Sequence, residues 1–403
     1  MMDLTEYGNY LIGNYADPPV AFDRGEGVRI WDVAGNAYLD FSSGIAVTCL
    51  GHSHPKWVSA VQKQAAKLVH CTNLFAIPEQ ARLAERLTQK AGPGRMLFCN
   101  SGAEANEALI KLARLYGCDK AGGTEGKIVK IVTAEGDFHG RTYGAMSATS
   151  GSKIRNGFAP LTPGFAFAEF NELASFEALL EEDTAAVLIE PIQGEGGIRE
   201  TSDNFLRGLR QLCDERGILL MLDEVQSGMG RTGSFFSYES SGIKPDAIAL
   251  AKGLGGGFPI GAMWVNESHA DLFKPGSHGT TFGGSPLACA AAHAVLDVIE
   301  EEKLIEKASV QGMSFKDELK SLANKHGDLI KEVRGRGYLL AMSMNVPCGE
   351  IVSALRKGGL IAVPAGGDSV RMLPPLNVTQ EEISEALGII DKTLNEFLTL
   401  PKP

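Results

Sequence analysis

Six short apolar runs punctuate the middle of the chain: RMLFCN at 95–100, KIVKIVTAE at 127–135, AAVLIEP at 185–191, ILLMLDE at 218–224, DAIALA at 246–251 and IGAMWVN at 260–266. Each predicts a strand, because a run apolar at successive positions is covered on both faces. Between several of them the period lengthens to that of a helix. EANEALIKLARLYG follows the first run, FLRGLRQLCDERG precedes the fourth, and PLACAAAHAVLDVIEEEK follows the last. This alternation predicts an α/β fold, with a large domain over 61–304 whose mostly parallel sheet is covered by helices. From about residue 305 the pattern becomes a helix, short strands and a closing helix opened by the capping box Thr379-x-x-Glu382. Residues 305–403 are therefore expected to form a smaller α+β domain. Residues 1–60, with a hairpin around Ala34-Gly35-Asn36, are expected to contribute to it.

The composition is that of an ordinary folded protein, 44% hydrophobic and 22% charged over 403 residues, and its 48 glycines point to many tight turns. A net charge of −11, with no basic block, disfavours nucleic acid and anionic membrane as partners. The start, MMDLTEYGNYL, lacks the basic and then apolar pattern of a signal peptide, and no run is long enough to span a bilayer, so a cytoplasmic location is expected. Seven scattered cysteines, never spaced C-x-x-C, suggest neither a disulfide framework nor a metal site. His52 and His54 form an H-x-H without acids at ligand spacing and are read as turn residues.

Two apolar runs end on a charge next to a glycine-containing loop: Asp223 in LLMLDEVQSGMGRTG and Lys252 in DAIALAKGLGGG. Open α/β sheets hold their ligands at strand ends, and a lysine placed there is costly unless neutral, paired or covalently used. Either residue alone could be a paired or solvated charge. Together they match pyridoxal phosphate, which needs a carboxylate for its ring nitrogen and a lysine for a Schiff base. Ser101-Gly102-Ala103 lies between a strand and a helix, where free N–H groups suit a phosphate, although an ordinary capped turn reads the same way. Phe138 could stack on a planar ring or simply pack in the core. Arg141, in a glycine-flanked loop, suits a bidentate clamp on a carboxylate or a solvated surface position. Glu195 and Arg371 are lone charges flanked by Gly or Pro, solvated by default. Gly228-x-Gly230-x-x-Gly233 matches a dinucleotide fingerprint in form only, since no helical pattern follows it.

Taken together, NSGAEANEALIKLAR, FHGRTYGAMSAT, IEPIQGEGGI, LDEVQSGMGRTG, AKGLGGGFPIGA and HGTTFGGSPLACA resemble, in order and spacing, the fold type I pyridoxal-phosphate enzymes of the class III (ω-type) aminotransferases. The resemblance covers nearly the whole chain, and GIAVTCLGHSHP and HGTTFGG are especially similar to the members acting on acetylornithine. It implies that Lys252 bonds the cofactor and shuttles a proton, and that Asp223 keeps the ring nitrogen protonated. It places Ser101, Gly102 and Ala103 at the phosphate, Phe138 and Val225 on the two ring faces, and Gln226 at the phenolic oxygen; Glu224 falls in the same cofactor-binding stretch. Thr281 would reach the phosphate of a neighbouring subunit, which implies a homodimer. Arg141, with Thr280 nearby, would hold the substrate α-carboxylate, and Glu195 would pair with Arg371 and release it for the second carboxylate of glutamate. Members that act on ornithine carry a tyrosine where this chain has Ile45, an apolar residue better suited to an acylated nitrogen. The implied reaction is ping-pong transfer of an amino group from N-acetylornithine to 2-oxoglutarate, the reverse of its direction in arginine biosynthesis. Succinylornithine, ornithine or 4-aminobutyrate as donors, and a nucleotide-binding protein without this activity, are the alternatives.

Overall fold

The computed structural model describes residues 7–399; the reading of the first residues as free of a leader rests partly on Met1–Glu6, which lie outside them. Its centre is a seven-stranded sheet in the order Gly94–Cys99, Gly261–Asn266, Ala247–Leu250, Leu219–Asp223, Thr184–Ile189, Lys130–Ala134 and Phe165–Ala168. Only Gly261–Asn266 runs against its neighbours. The three central strands, Thr184–Ile189, Leu219–Asp223 and Ala247–Leu250, are buried at every position, which is why their sequences show no alternation. Phe165–Ala168, an edge strand of four residues, was not among the predicted runs.

Helices cover the sheet, and their ends obey local capping chemistry. Ser101, Ser202 and Ser285 each accept a backbone N–H of the helix they open, Gly102–Lys120, Asp203–Arg216 and Pro286–Glu301. Gly217 ends the second of these at φ 60°, a left-handed position that glycine adopts without a Cβ penalty.

In the C-terminal region Ile330–Arg336, Leu339–Met344, Ser369–Met372 and Val363–Ala365 form an antiparallel sheet in that order, backed by the helix Leu304–Lys325. The expected hairpin joins Arg29–Asp32 to Ala37–Asp40, with Gly35 at φ 86° in its turn. Leu360–Ile361 adds to Ala37–Asp40 in parallel, so the N-terminal strands and the C-terminal region share a sheet. The capping box is present, with Thr379 and Glu382 exchanging side-chain-to-backbone bonds. The Gly228 to Gly233 stretch opens no helix. A Cβ at Gly230 would crowd Ile305, and one at Gly233 would lie 2.7 Å from the Ser309 backbone, so close packing against the helix Leu304–Lys325 explains these glycines.

Candidate active site

At the carboxyl ends of the central strands opens a cavity of about 440 Å³, reached by Asp223, Lys252, Phe138, Val225 and Gln226 and by the turn Ser101-Gly102-Ala103. Residues far apart in sequence meet there because the chain returns repeatedly to the same edge of a parallel sheet.

Asp223 is buried at its strand end and fully engaged. Its Oδ1 accepts the Val225 N–H at 3.0 Å, while Oδ2 accepts Asn106 Nδ2 at 2.7 Å and lies 2.9 Å from His139 Nδ1. Behind it, His139 Nε2 sits 3.6 Å from Asp137 Oδ2, with both side chains sealed from solvent. Burial alone would lower the His139 pKa, but the nearby carboxylate of Asp137 and the hydrogen-bonded carboxylate of Asp223 outweigh it and push the value to about 10. His139 is therefore a buried cation between two carboxylates. Glu190 lines the same cavity, and burial together with the charges of Asp137 and Asp223 raises its pKa, while its two oxygens accept the Phe138 and Gly194 N–H groups.

Lys252 follows the strand Ala247–Leu250 at φ 42°, a left-handed conformation that costs a non-glycine residue about 1–2 kcal/mol. Strain of this kind gathers at functional sites. Although the residue is only half-buried overall, burial of its ammonium end lowers its pKa to about 8; nearby Glu195 raises it and Arg371 lowers it. Near neutrality a usable fraction of this amine is unprotonated.

The turn before the helix Gly102–Lys120 leaves the Gly102 and Ala103 N–H groups without a protein acceptor among the described residues. A Cβ on Gly102 would come 2.7 Å from Val225 Cγ1, so glycine keeps the space between turn and strand end open. Free N–H groups at a helix start, a buried carboxylate, a pKa-lowered lysine and an aromatic face at Phe138 fit pyridoxal phosphate.

Beyond the cavity wall, Arg371 is almost fully buried and its Nη1 donates to Glu195 Oε1 at 2.7 Å and to Gln226 Oε1 at 3.1 Å. With its oxygen taken, Gln226 has its Nε2 left to donate. Arg141 lines the cavity mouth, exposed, with its Cζ 5.7 Å from the Phe138 ring centre. Thr280 Oγ1 accepts Asn100 Nδ2 at 3.2 Å at the same edge, while Thr281 is exposed outside it.

Six of the expected residues do not line the cavity: Glu195 and Arg371 lie behind its wall, Thr280 and Thr281 at or beyond its edge, and Glu224 and Ile45 apart from it. Glu224 is a correction: it faces away from Asp223, and its carboxylate is consumed by Ser227, Ser237 and the Tyr238 N–H. Successive residues at a strand end point to opposite faces. Ile45 lies in a left-handed turn, Ser43 to Ala46 with φ from 46° to 66°, and is partly exposed; Val47 is the residue of that segment that lines the cavity. Conversely, Asn106, Asp137 and Glu190 belong to the site without having been picked out from the sequence. Asn106 was detectable, since it lies one helical turn after Gly102 and so shares its face.

Residues 12–394 match the family model for class III aminotransferases. The chain belongs to this family of pyridoxal-phosphate-dependent aminotransferases and has their fold type I architecture. It is 45% identical to the acetylornithine aminotransferase of Caldanaerobacter subterraneus subsp. tengcongensis over 98% of this chain and 99% of that one. It is 48% identical to acetylornithine aminotransferase 1 of Bordetella bronchiseptica, covering 96% and 98%. Among solved structures, ornithine aminotransferase from Toxoplasma gondii superposes with a TM-score of 0.95 at 33% identity, covering 99% and 96%. Acetylornithine aminotransferase from Elizabethkingia anophelis does so at 0.87 and 36%, covering 98% and 100%.

Proposed function

We propose that this aminotransferase moves the terminal amino group of N-acetylornithine to 2-oxoglutarate, giving N-acetylglutamate semialdehyde and glutamate, with the reverse direction serving arginine biosynthesis. The observation that carries the reading is the near-full-length similarity to proteins named acetylornithine aminotransferase. Bound pyridoxal phosphate supplies an aldehyde that condenses with primary amines and a protonated ring that accepts the electron pair released when a C–H proton leaves. Asp223, oriented by Asn106 and His139, would keep the ring nitrogen protonated. Ser101, Gly102 and Ala103 would hold the phosphate, Phe138 and Val225 would pack on the ring, and Gln226 Nε2 would donate to its phenolic oxygen. Lys252 Nζ takes and returns the proton at the carbon that bears the transferred amine.

Arg141, beside Thr280, binds the α-carboxylate. In the first half-reaction the amine carbon leaves as an aldehyde whose oxygen comes from water; in the second, 2-oxoglutarate gives its keto oxygen to water and takes the amine. Glu195, paired with Arg371 while the acylated amine is bound, moves aside so that Arg371 meets the second carboxylate of 2-oxoglutarate. One site thereby serves two substrates.

The likeness to ornithine aminotransferase supports a second reading, ornithine as donor. Rates with N-acetylornithine, succinylornithine, ornithine and 4-aminobutyrate, each with 2-oxoglutarate, separate the two. The proposal expects N-acetylornithine to have the highest kcat/KM and glutamate to form one-for-one; a faster ornithine or 4-aminobutyrate would overturn it.

We further propose a cytoplasmic homodimer. Leu74, Phe75 and Phe282 are largely exposed on one face, where Asn73 Nδ2 ties their two segments together through the Thr280 and Gly283 carbonyls. An apolar patch of this kind suits burial against a second copy, which would bring Thr281 to the partner's phosphate site. Sedimentation of the holoenzyme and of a Phe282→Glu variant is expected to give dimer and monomer respectively; a monomeric wild type would refute it.

A further inference from the structure

Arg141 is the least anchored group of the site: it is exposed, and no acid lies within ion-pair distance of it among the described residues. The backbone around it is, by contrast, held tightly against the start of the helix Gly102–Lys120. Asn106 Nδ2 donates to the His139 carbonyl at 2.8 Å, and a Cβ on Gly140, at φ 137°, would come 2.7 Å from Ala103 Cβ. After Arg141, Glu107 Oε1 accepts Thr142 Oγ1 at 2.5 Å, the Gly144 N–H at 2.9 Å and the Ala145 N–H at 3.0 Å.

Three donors thus converge on one oxygen of a residue more than thirty positions earlier in the chain. The short helix Tyr143–Ala148 has no side-chain cap of its own, because Thr142 at its N-cap makes no capping bond; Glu107 takes up the orphan N–H groups instead. Gly144 is part of the arrangement, since a Cβ there would collide with the Glu107 carboxylate.

We infer that Glu107 is a positioning residue for Arg141: it fixes the backbone that presents the guanidinium to the substrate carboxylate, and so sets how strongly the enzyme selects carboxylated amines. This rests on the reading of Arg141 given above. Bonds to a carboxylate are individually stronger than neutral ones, and misplacing a binding group by about 1 Å can weaken its contribution about 100-fold.

The test uses the holoenzyme with two amines, N-acetylornithine and its carboxylate-free counterpart N-acetylputrescine, and a binding probe, N-acetylnorvaline, which keeps the carboxylate but has no amine to transfer. Glu107→Ala is expected to raise KM for N-acetylornithine, and the calorimetric Kd of N-acetylnorvaline, about 10- to 100-fold. The half-reaction with N-acetylputrescine, followed in a single turnover without 2-oxoglutarate, and the absorbance of the bound cofactor stay as in wild type. Glu107→Gln keeps the oxygen on which the donors converge and remains within about three-fold of wild type. Gly144→Ala, which displaces the carboxylate without removing it, behaves like Glu107→Ala, and the double variant is no worse than either single one.

An unchanged N-acetylnorvaline Kd in Glu107→Ala, or an equal loss with both amines, overturns the inference. If Arg141→Ala impairs N-acetylornithine selectively and Glu107→Ala does not, this inference alone falls. If Arg141→Ala leaves the preference for N-acetylornithine untouched, the reading of Arg141 falls and this inference with it.

Discussion

The two halves of the cavity are built differently. The cofactor half sits on the ends of central strands and the first turn of a long helix, where Asp223 and His139 are buried and each polar group leans on another. The substrate half is carried by Arg141 and the Thr280–Thr281 loop at the rim, on segments fixed by a few side-chain bonds. Rigid elements place atoms more accurately than loops do, and reaction chemistry tolerates misplacement less well than binding. A fold can therefore keep the first half and vary the second, which is how one scaffold serves many amines.

Substitutions should separate the halves. The largest effect is expected from Lys252→Ala, with turnover lower by about 10⁴-fold or more, because proton transfer and covalent attachment are lost together. Single-turnover kinetics check this. Asp223→Ala follows, with turnover down about 10³-fold while cofactor still binds through the phosphate turn, seen as retained absorbance after gel filtration.

Arg141→Ala should act on binding instead. Losing charge-assisted bonds worth about 2–3 kcal/mol raises KM for N-acetylornithine by about 30- to 150-fold, with kcat altered far less. A fall in kcat to match would erase the distinction between the halves.

The smallest effect concerns stability of the cofactor-free protein. His139 has a folded pKa raised from 6.5 to about 10, so the stability it contributes is complete below pH 6.5 and is lost progressively as pH rises toward 10. Lys252, lowered from 10.5 to about 8, works the other way, adding stability only above pH 8. Melting temperature is therefore expected to fall by a few degrees between pH 6.5 and 8 and to flatten above that, whereas His139→Asn declines less steeply, with only the raised Glu190 carboxyl still contributing. An identical decline in the variant would show that His139 is not the group responsible.

The cofactor half was the more legible in sequence because its residues end apolar runs or open a helix, and such signals are local. Asp223, Lys252 and Ser101-Gly102-Ala103 stand where strand ends and a capped turn put them. The His139 and Asp137 network was not, because its partners become neighbours only after the strands align. Glu224 next to Asp223 looked like part of the site, and only the alternation of side chains sends it to Ser227 and Ser237. The left-handed turn at Ser43 to Ala46 was equally hidden: Ile45 at φ 66° runs against its own preference, and the turn is held by the Ser42 and Ser43 N–H groups donating to Asp40 Oδ1 and by Ser43 Oγ donating to the Leu373 carbonyl.

Borohydride reduction of the holoenzyme followed by peptide mapping tests the covalent role of Lys252 most directly. The expected result is a single pyridoxyl-modified lysine, Lys252, with no label in Lys252→Ala; a label on another lysine, or none in the wild-type protein, would contradict it.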